Sequence, residues 1–293
     1  MMPMQLRQFE LRFPIASGGM CTVYRAFDTM LHREVAVKLM KRELKEDHQA
    51  LESFFREARA CAALNHSNII HVYTFDDFEG QLYLAMEIAD AGSLDSRIER
   101  DGRVSELQVL DVGIKVASAL DSALKKGFLH RDIKPGNILF NNEEEPKLVD
   151  FGLARQAELG LEDDGAIWGT PYYIAPEKVK REREDFLADM YSLAGTLYHA
   201  LTGSVPFEAP TIEAVIAAHI HTPLTPPNAV LPEVSQATSD ALMQAMAKDP
   251  NHRFRSYDEF IMALTASRSQ LLINQFRPGE PEIVNQVKSW WRR

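Results

Sequence analysis

The chain has 293 residues, 45% hydrophobic and 25% charged, the make-up of an ordinary globular protein. Its formal charge of −10, with no concentrated basic patch, argues against a nucleic-acid partner. Two cysteines, Cys21 and Cys61, are too few for a disulfide framework and lack metal-site spacing, so a reducing, cytoplasmic setting is expected.

The N-terminal stretch MMPMQLRQFELRF has no long apolar core, so a signal peptide is not expected, and no uncharged apolar run approaches the ~20 residues of a membrane span. FELRFPIA and TVYRAF read as strands on either side of a tight turn, and REVAVKLM as a third strand. From His48 to Leu64 the apolar residues Leu51, Phe54, Phe55, Ala58, Cys61 and Ala62 recur three and four apart, which predicts a helix. IIHVYTFDDF and QLYLAMEI form a hairpin around Glu79–Gly80. Beyond the short connector IADAG the pattern turns helical. SELQVLDVGIKVASALDSALKKG ends at Gly127, and further helices fit residues 187–202, 211–220, 235–247 and 256–267. A small β-rich lobe therefore precedes a larger helical one.

The chemistry concentrates in HRDIKPGNILF, residues 130–140, where Asp132, Lys134 and Asn137 fall within six residues beside a proline and a glycine. Such a loop aims a carboxylate, an ammonium and an amide at one point. DFGLAR follows the apolar strand PKLV and places Asp150 at its end. Aspartate and asparagine oxygens suit a hard cation such as Mg²⁺ or Mn²⁺, the partner of nucleotide phosphates. Ala36 and Lys38, two apart, share one face of their strand. Glu57 lies near the buried stripe of the predicted helix; a solvated helix face is its other reading.

HRDIKPGN, DFG, APE (residues 175–177) and VAVK (residues 35–38), in this order and spacing, resemble a Hanks-type protein kinase of the bacterial serine/threonine branch, over roughly residues 9–265. The resemblance implies an α+β bilobal fold. Residues 1–89 would form a small antiparallel sheet with one main helix, residues 90–267 a mostly helical lobe, and residues 268–293 a tail. It implies ATP with Mg²⁺ (or Mn²⁺), and protein substrates with Ser or Thr acceptors. Lys38 would meet the α/β-phosphates, oriented by Glu57; Asp132 would position the acceptor hydroxyl; Lys134 would neutralise the transferring group; Asn137 and Asp150 would hold metal. Thr170, which supports the catalytic aspartate in such kinases, and Lys134 fit a Ser/Thr acceptor. Ile15, Val23, Ala36, Met86 and Leu139 would wall the adenine, with backbone groups of Glu87 and Ala89 binding its edge. Asp189 would anchor the catalytic loop, Glu177 and Arg253 would form a buried ion pair, and Cys61, Val72, His130 and Phe151 would form an apolar column between lobes.

Two features depart from the family pattern. Its three phosphate-loop glycine positions read Ala16, Gly18 and Cys21 here, with Gly19 adjacent, which predicts a looser hold on nucleotide, since a strained residue costs on the order of 1 kcal/mol. Cys21 is mainly a small residue by this reading, with an oxidation-sensitive thiol as the alternative. The segment LARQAELGLEDDGAIWG contains no Ser, Thr or Tyr, so activity without activation-loop phosphorylation is expected; Glu162, Asp163 and Asp164 either substitute for the phosphate that Arg131 binds in relatives or form an acidic solvated loop. In the tail, Ile283, Val287, Trp290 and Trp291 share one helical face; docking on the kinase body is expected, and membrane proximity and a homodimer stay open. Two rival functions also remain: a nucleotide-binding scaffold without catalysis, favoured only by the altered glycine loop, and a kinase of small molecules, against which APE and Thr170 argue.

Overall fold

The computed structural model describes residues 4–151, 155–156 and 171–276. The first lobe is a six-stranded antiparallel sheet in the order β1-β2-β3-β4-β6-β5. Its strands are β1 (Met4–Leu6), β2 (Phe9–Ser17), β3 (Cys21–Asp28), β4 (Arg33–Met40), β5 (Val72–Phe78) and β6 (Gln81–Met86). Local chemistry closes its turns. The Asp28 carboxylate accepts the N–H groups of Met30 and Leu31, both at 3.1 Å, and so ends β3. Glu79 and Gly80 take φ of 52° and 73°, the paired left-handed conformations that a two-residue hairpin loop requires.

One helix, α1 (His48–Ala63), crosses this sheet. Asp47 caps it by accepting from Gln49 and Ala50 at 2.9 and 3.1 Å. Its buried stripe is Ala50, Phe54, Glu57, Ala58, Ala60 and Cys61, so Glu57 sits inside the stripe and not on the solvated face. The sheet buries apolar residues on both sides. Leu6, Phe9, Leu11, Val35, Val37 and Tyr83 pack on one face. Cys21, Met40, Phe54, Ala58 and Leu84 fill the space between the other face and α1.

The second lobe contains α2 (Leu94–Asp101), α3 (Glu106–Leu124), α4 (Pro176–Val179), α5 (Phe186–Thr202), α6 (Ile212–His221), α7 (Pro227–Val230), α8 (Gln236–Ala245) and α9 (Tyr257–Phe276). Short strand pairs β7 (Phe128–Leu129) with β10 (Arg155–Gln156), and β8 (Ile138–Phe140) with β9 (Pro146–Leu148), carry the functional loops. The centre is α5, capped by Asp185 at Leu187 N–H (2.8 Å) and closed by Gly203 at φ 73°. α3 lies hard against it: a Cβ on Gly113 would stand 2.7 Å from Leu197 Cδ1 and 3.0 Å from Leu264 Cδ1, so any larger residue would push these leucine ends aside.

The fold is thus bilobal, as the motifs imply. The predicted elements recur within a few residues, with two differences. α2 carries only Leu94 and Ile98 as buried residues, one turn apart, too little periodicity to stand out in the sequence. α9 continues to Phe276, nine residues beyond the predicted end at 267, because no glycine or proline interrupts it there. No helix among the described residues is long and apolar enough to cross a membrane.

Candidate active site

Antiparallel register brings the cleft-facing residues together. Val23 lies opposite Lys38, Ala36 opposite Met86, and Lys38 opposite Leu84, so these side chains share one face of the sheet. Lys38 Nζ donates to both oxygens of Glu57, at 2.7 and 2.6 Å, and to Asp150 Oδ1 at 2.9 Å. Burial alone would lower the Lys38 pKa, but the two carboxylates outweigh it and hold the ammonium well above its usual range. Burial pushes the Glu57 carboxyl up. Both its oxygens nevertheless accept from one ammonium, a geometry that only the carboxylate offers, so the pair is ionic. Burial would likewise raise the Asp150 carboxyl, but Lys38 holds it below the usual carboxylate value.

Below the cleft, Lys134 Nζ donates to Asp132 Oδ2 at 2.7 Å. Asn137 Nδ2 donates to the Asp132 carbonyl at 2.7 Å and to its Oδ2 at 3.0 Å. The loop is tied to the strand that carries Asp150 through one residue, Val149: its N–H donates to Asn137 O and its carbonyl faces His130 Nε2, each at 3.0 Å. From beneath, Asp189 of α5 accepts the N–H groups of His130 and Arg131 at 2.7 and 2.8 Å.

The observation that decides the family is the match of residues 9–262 to the protein kinase domain, a span that contains every one of these groups. The chain belongs to the protein kinase family. It is similar to a probable serine/threonine-protein kinase of Clostridium perfringens, 34% identical over 87% of this chain and 37% of the relative. It is similar to the serine/threonine-protein kinase PknJ of Mycobacterium tuberculosis, 38% identical over 97% of this chain and 50% of the relative. PknH of the same organism is 33% identical over 87% of this chain and 41% of the relative. The chain thus spans half or less of the length of these relatives.

A protein kinase domain implies ATP use with a divalent metal ion. The donor set suits such an ion. Asn137 spends its amide nitrogen on Asp132, and Asp150 offers Lys38 only Oδ1, which leaves Asn137 Oδ1 and Asp150 Oδ2 as hard oxygen acceptors with no partner among the described residues. Magnesium ordinarily takes one or two protein oxygens and completes its shell with phosphate and water.

The connector between the lobes follows β6. Glu87 N–H donates to His71 O at 2.8 Å, while the Glu87 carbonyl and the Ala89 amide have no partner among the described residues. Two ion pairs absent from the sequence reading hold this connector. Lys147 of β9 pairs with Glu87 at 2.5 Å, and Arg25 of β3 pairs with Asp90. No spacing in the chain announces them, because each joins residues 60 or more positions apart (147 − 87 and 90 − 25).

Of the other predicted wall residues, Ile15 is exposed, and Val23, Met86 and Leu139 are half-buried. The glycine turn is closed by Gly18 N–H to Cys21 O at 2.9 Å. Ala16 and Cys21 lie in β2 and β3 without positive φ, so the anticipated strain at these two positions is absent. A Cβ on Gly18 would come no closer than 3.9 Å to a neighbour and one on Gly19 would meet nothing, so both glycines serve open space over the cleft. Cys21 packs beside Met40 and Phe54 under the sheet, and burial pushes its thiol up to about 11. These are the marks of an inert thiol, which favours the small-residue reading over the redox one.

Glu177 and Arg253 form a bidentate pair at 2.6 and 2.8 Å, both buried. His130 and Phe151, each 0% exposed, meet edge to face at 4.6 Å in the cluster that includes Cys61 and against which Val72 packs. Thr170, Glu162, Asp163, Asp164 and the tail beyond Phe276 lie outside the described residues.

Proposed function

We propose that this chain transfers the γ-phosphoryl group of ATP to serine or threonine hydroxyls of protein substrates, without needing phosphate on its own residues 152–169. The observation that carries the reading is the bridging ammonium: Lys38 joins α1, through Glu57, to Asp150 just after β9, whose neighbour Val149 is hydrogen-bonded to Asn137 of the linked Asp132–Lys134–Asn137 cluster. The names of the relatives support the choice of acceptor.

In this reading Lys38, held charged by two carboxylates, faces the α/β-phosphates, and Glu57 fixes its position. Ile15, Val23, Ala36, Met86 and Leu139 enclose the base, whose edge meets the Glu87 carbonyl and the Ala89 amide, while Ala16, Gly18 and Gly19 leave the phosphates room. Asp150 and Asn137 hold the cation, Mg²⁺ or Mn²⁺, which neutralises charge on the β/γ-phosphates when bound. Asp132 orients the acceptor hydroxyl and takes up its proton, and Lys134 beside it balances charge on the transferring group. Thr170 supports Asp132. Asp189, Glu177 and Arg253 keep the platform in place. Residues 1–89 and 90–267 are assigned as the nucleotide and substrate lobes, and residues 268–293 as a docking or membrane-proximal tail.

The test is transfer of radiolabelled γ-phosphate, with Mg²⁺, to the chain itself and to a generic basic protein, beside Asp132→Asn. Label in the wild type that is lost in the variant is expected. No label with nucleotide still bound would return the chain to the scaffold reading, and label on a small molecule but on no protein would overturn the acceptor class.

A further inference from the structure

Arg131 stands immediately before Asp132 with φ of 68°. That left-handed backbone costs a non-glycine residue on the order of 1 kcal/mol and persists only where the surroundings hold it. Three charged side chains from one stretch, residues 178–189, do so. Asp189 accepts from the Arg131 N–H at 2.8 Å, and Lys178 Nζ donates to its carbonyl at 2.9 Å. Glu184 Oε2 lies 3.6 Å from its Nε.

The first two fix the peptide, and the third concerns charge. The Arg131 side chain is only 18% exposed and that of Glu184 only 15%, so both are largely withdrawn from water. A guanidinium cannot shed its proton to relieve such burial. Its Nε has no hydrogen-bond partner among the described residues, and 3.6 Å is beyond hydrogen-bond length, so Glu184 acts on Arg131 through its negative charge. Among the described residues Glu184 is the carboxylate within ion-pair reach of Arg131. Asp185, the next residue, caps α5, which anchors Glu184 to the most buried helix of the lobe. Residues 152–169 contain no Ser, Thr or Tyr, so no hydroxyl there can acquire a phosphate to do the same work.

We propose that Glu184 is a positioning residue whose carboxylate is the permanent counter-charge of Arg131, and that it holds Asp132 in place through Arg131 so that the kinase is competent as synthesised. The proposal rests on the reading of this chain as a kinase that needs no phosphate on residues 152–169. It assigns to Glu184 the counter-charge role otherwise expected of Glu162, Asp163 and Asp164.

The experiment uses the full 293-residue chain as wild type, Glu184→Gln and Glu184→Asp. It compares kcat, the KM for ATP and the KM for a basic protein, with thermal melts read by circular dichroism. Glu184→Gln keeps size and loses charge. It is expected to lower kcat about tenfold, less than the ~100-fold that an ångström-scale misplacement near the chemistry can bring. The KM for ATP should stay within about twofold, because Lys38 and the connector are untouched. Glu184→Asp should recover most of the loss, and wild type treated with a protein phosphatase should keep its kcat. A Glu184→Gln enzyme with wild-type kcat, or one whose loss is fully accounted for by a smaller folded fraction, overturns the role of Glu184. A loss of kcat on neutralising Glu162, Asp163 and Asp164 but not Glu184 does the same. A wild type inactivated by phosphatase overturns the underlying reading instead, whatever Glu184 does.

Discussion

Arg253→Met is the most demanding test of how the substrate platform is held. Arg253 is 0% exposed and its partner Glu177 5%. Besides the two bonds to Glu177, its Nε donates to Ala247 O at 2.9 Å and its Nη1 to Leu187 O at 2.8 Å. Methionine fills most of the volume but strands a buried carboxylate and two carbonyls. Breaking a buried pair costs about 3–5 kcal/mol, and each carbonyl left without a donor adds on the order of 1 kcal/mol. Against a total stability of about 5–15 kcal/mol, the variant should lose roughly half. At ~2–4 °C per kcal/mol for chains of this order of size, its melting temperature should fall by more than about 10 °C. Urea unfolding followed by far-UV circular dichroism gives the free energy directly. The double variant Glu177→Met/Arg253→Met removes the stranded charge and should regain about 1–4 kcal/mol over the single one. If Arg253→Met lies within about 1 kcal/mol of wild type, or the double variant is no more stable than the single, the pair is not the buried, coupled unit described above.

Two further outcomes follow from the cleft. Lys38→Met should lower phosphoryl transfer on the order of 10²–10³-fold, as loss of one preorganised donor does, while the chain still melts cooperatively; a variant with turnover near wild type would remove Lys38 from the chemistry. For Cys21 the thiolate is the reactive form, and burial moves its pKa up to about 11, so native alkylation by iodoacetamide should be slow at neutral pH and quicken only as the pH climbs toward that value. Peptide mass spectrometry reads the adduct, and labelling at about pH 8 as fast as in the unfolded chain would show the thiol to be exposed and open to a redox role.

The sequence carried the site because its chemistry is local. Asp132, Lys134 and Asn137 fall within one turn of chain, and the strand around Ala36 and Lys38 sets its own cleft face by period two. Helix phase put Glu57 only near the stripe and left a solvated face open, so its pairing with Lys38 was legible only through the family resemblance. What was not legible depends on distant pairs. Nothing in the neighbourhood of Lys147 points to Glu87, and nothing near Glu184 points to Arg131, because tertiary packing alone supplies those partners. The strain expected at Ala16 and Cys21 came from a motif that prizes glycine, whereas both residues extend regular strands and leave the turn to Gly18 and Gly19. α2 was hidden by brevity, its packing resting on two side chains.

The two hydrogen bonds of Val149 have a consequence for the catalytic cycle. One peptide-bonded residue, gripped at its N–H by Asn137 and at its carbonyl by His130, sets the spacing between Asp150 and the loop of Asp132. All of these residues belong to the lower lobe, and α5 supports them through Asp189. Lys38, in contrast, reaches Asp150 across the cleft from the sheet. In the proposed phosphoryl transfer, an opening of the cleft to exchange nucleotide would separate the lysine from the aspartate but leave the lower carboxylates at a constant gauge. Each turnover would then begin with that half of the machinery already aligned, and only the upper half would have to return.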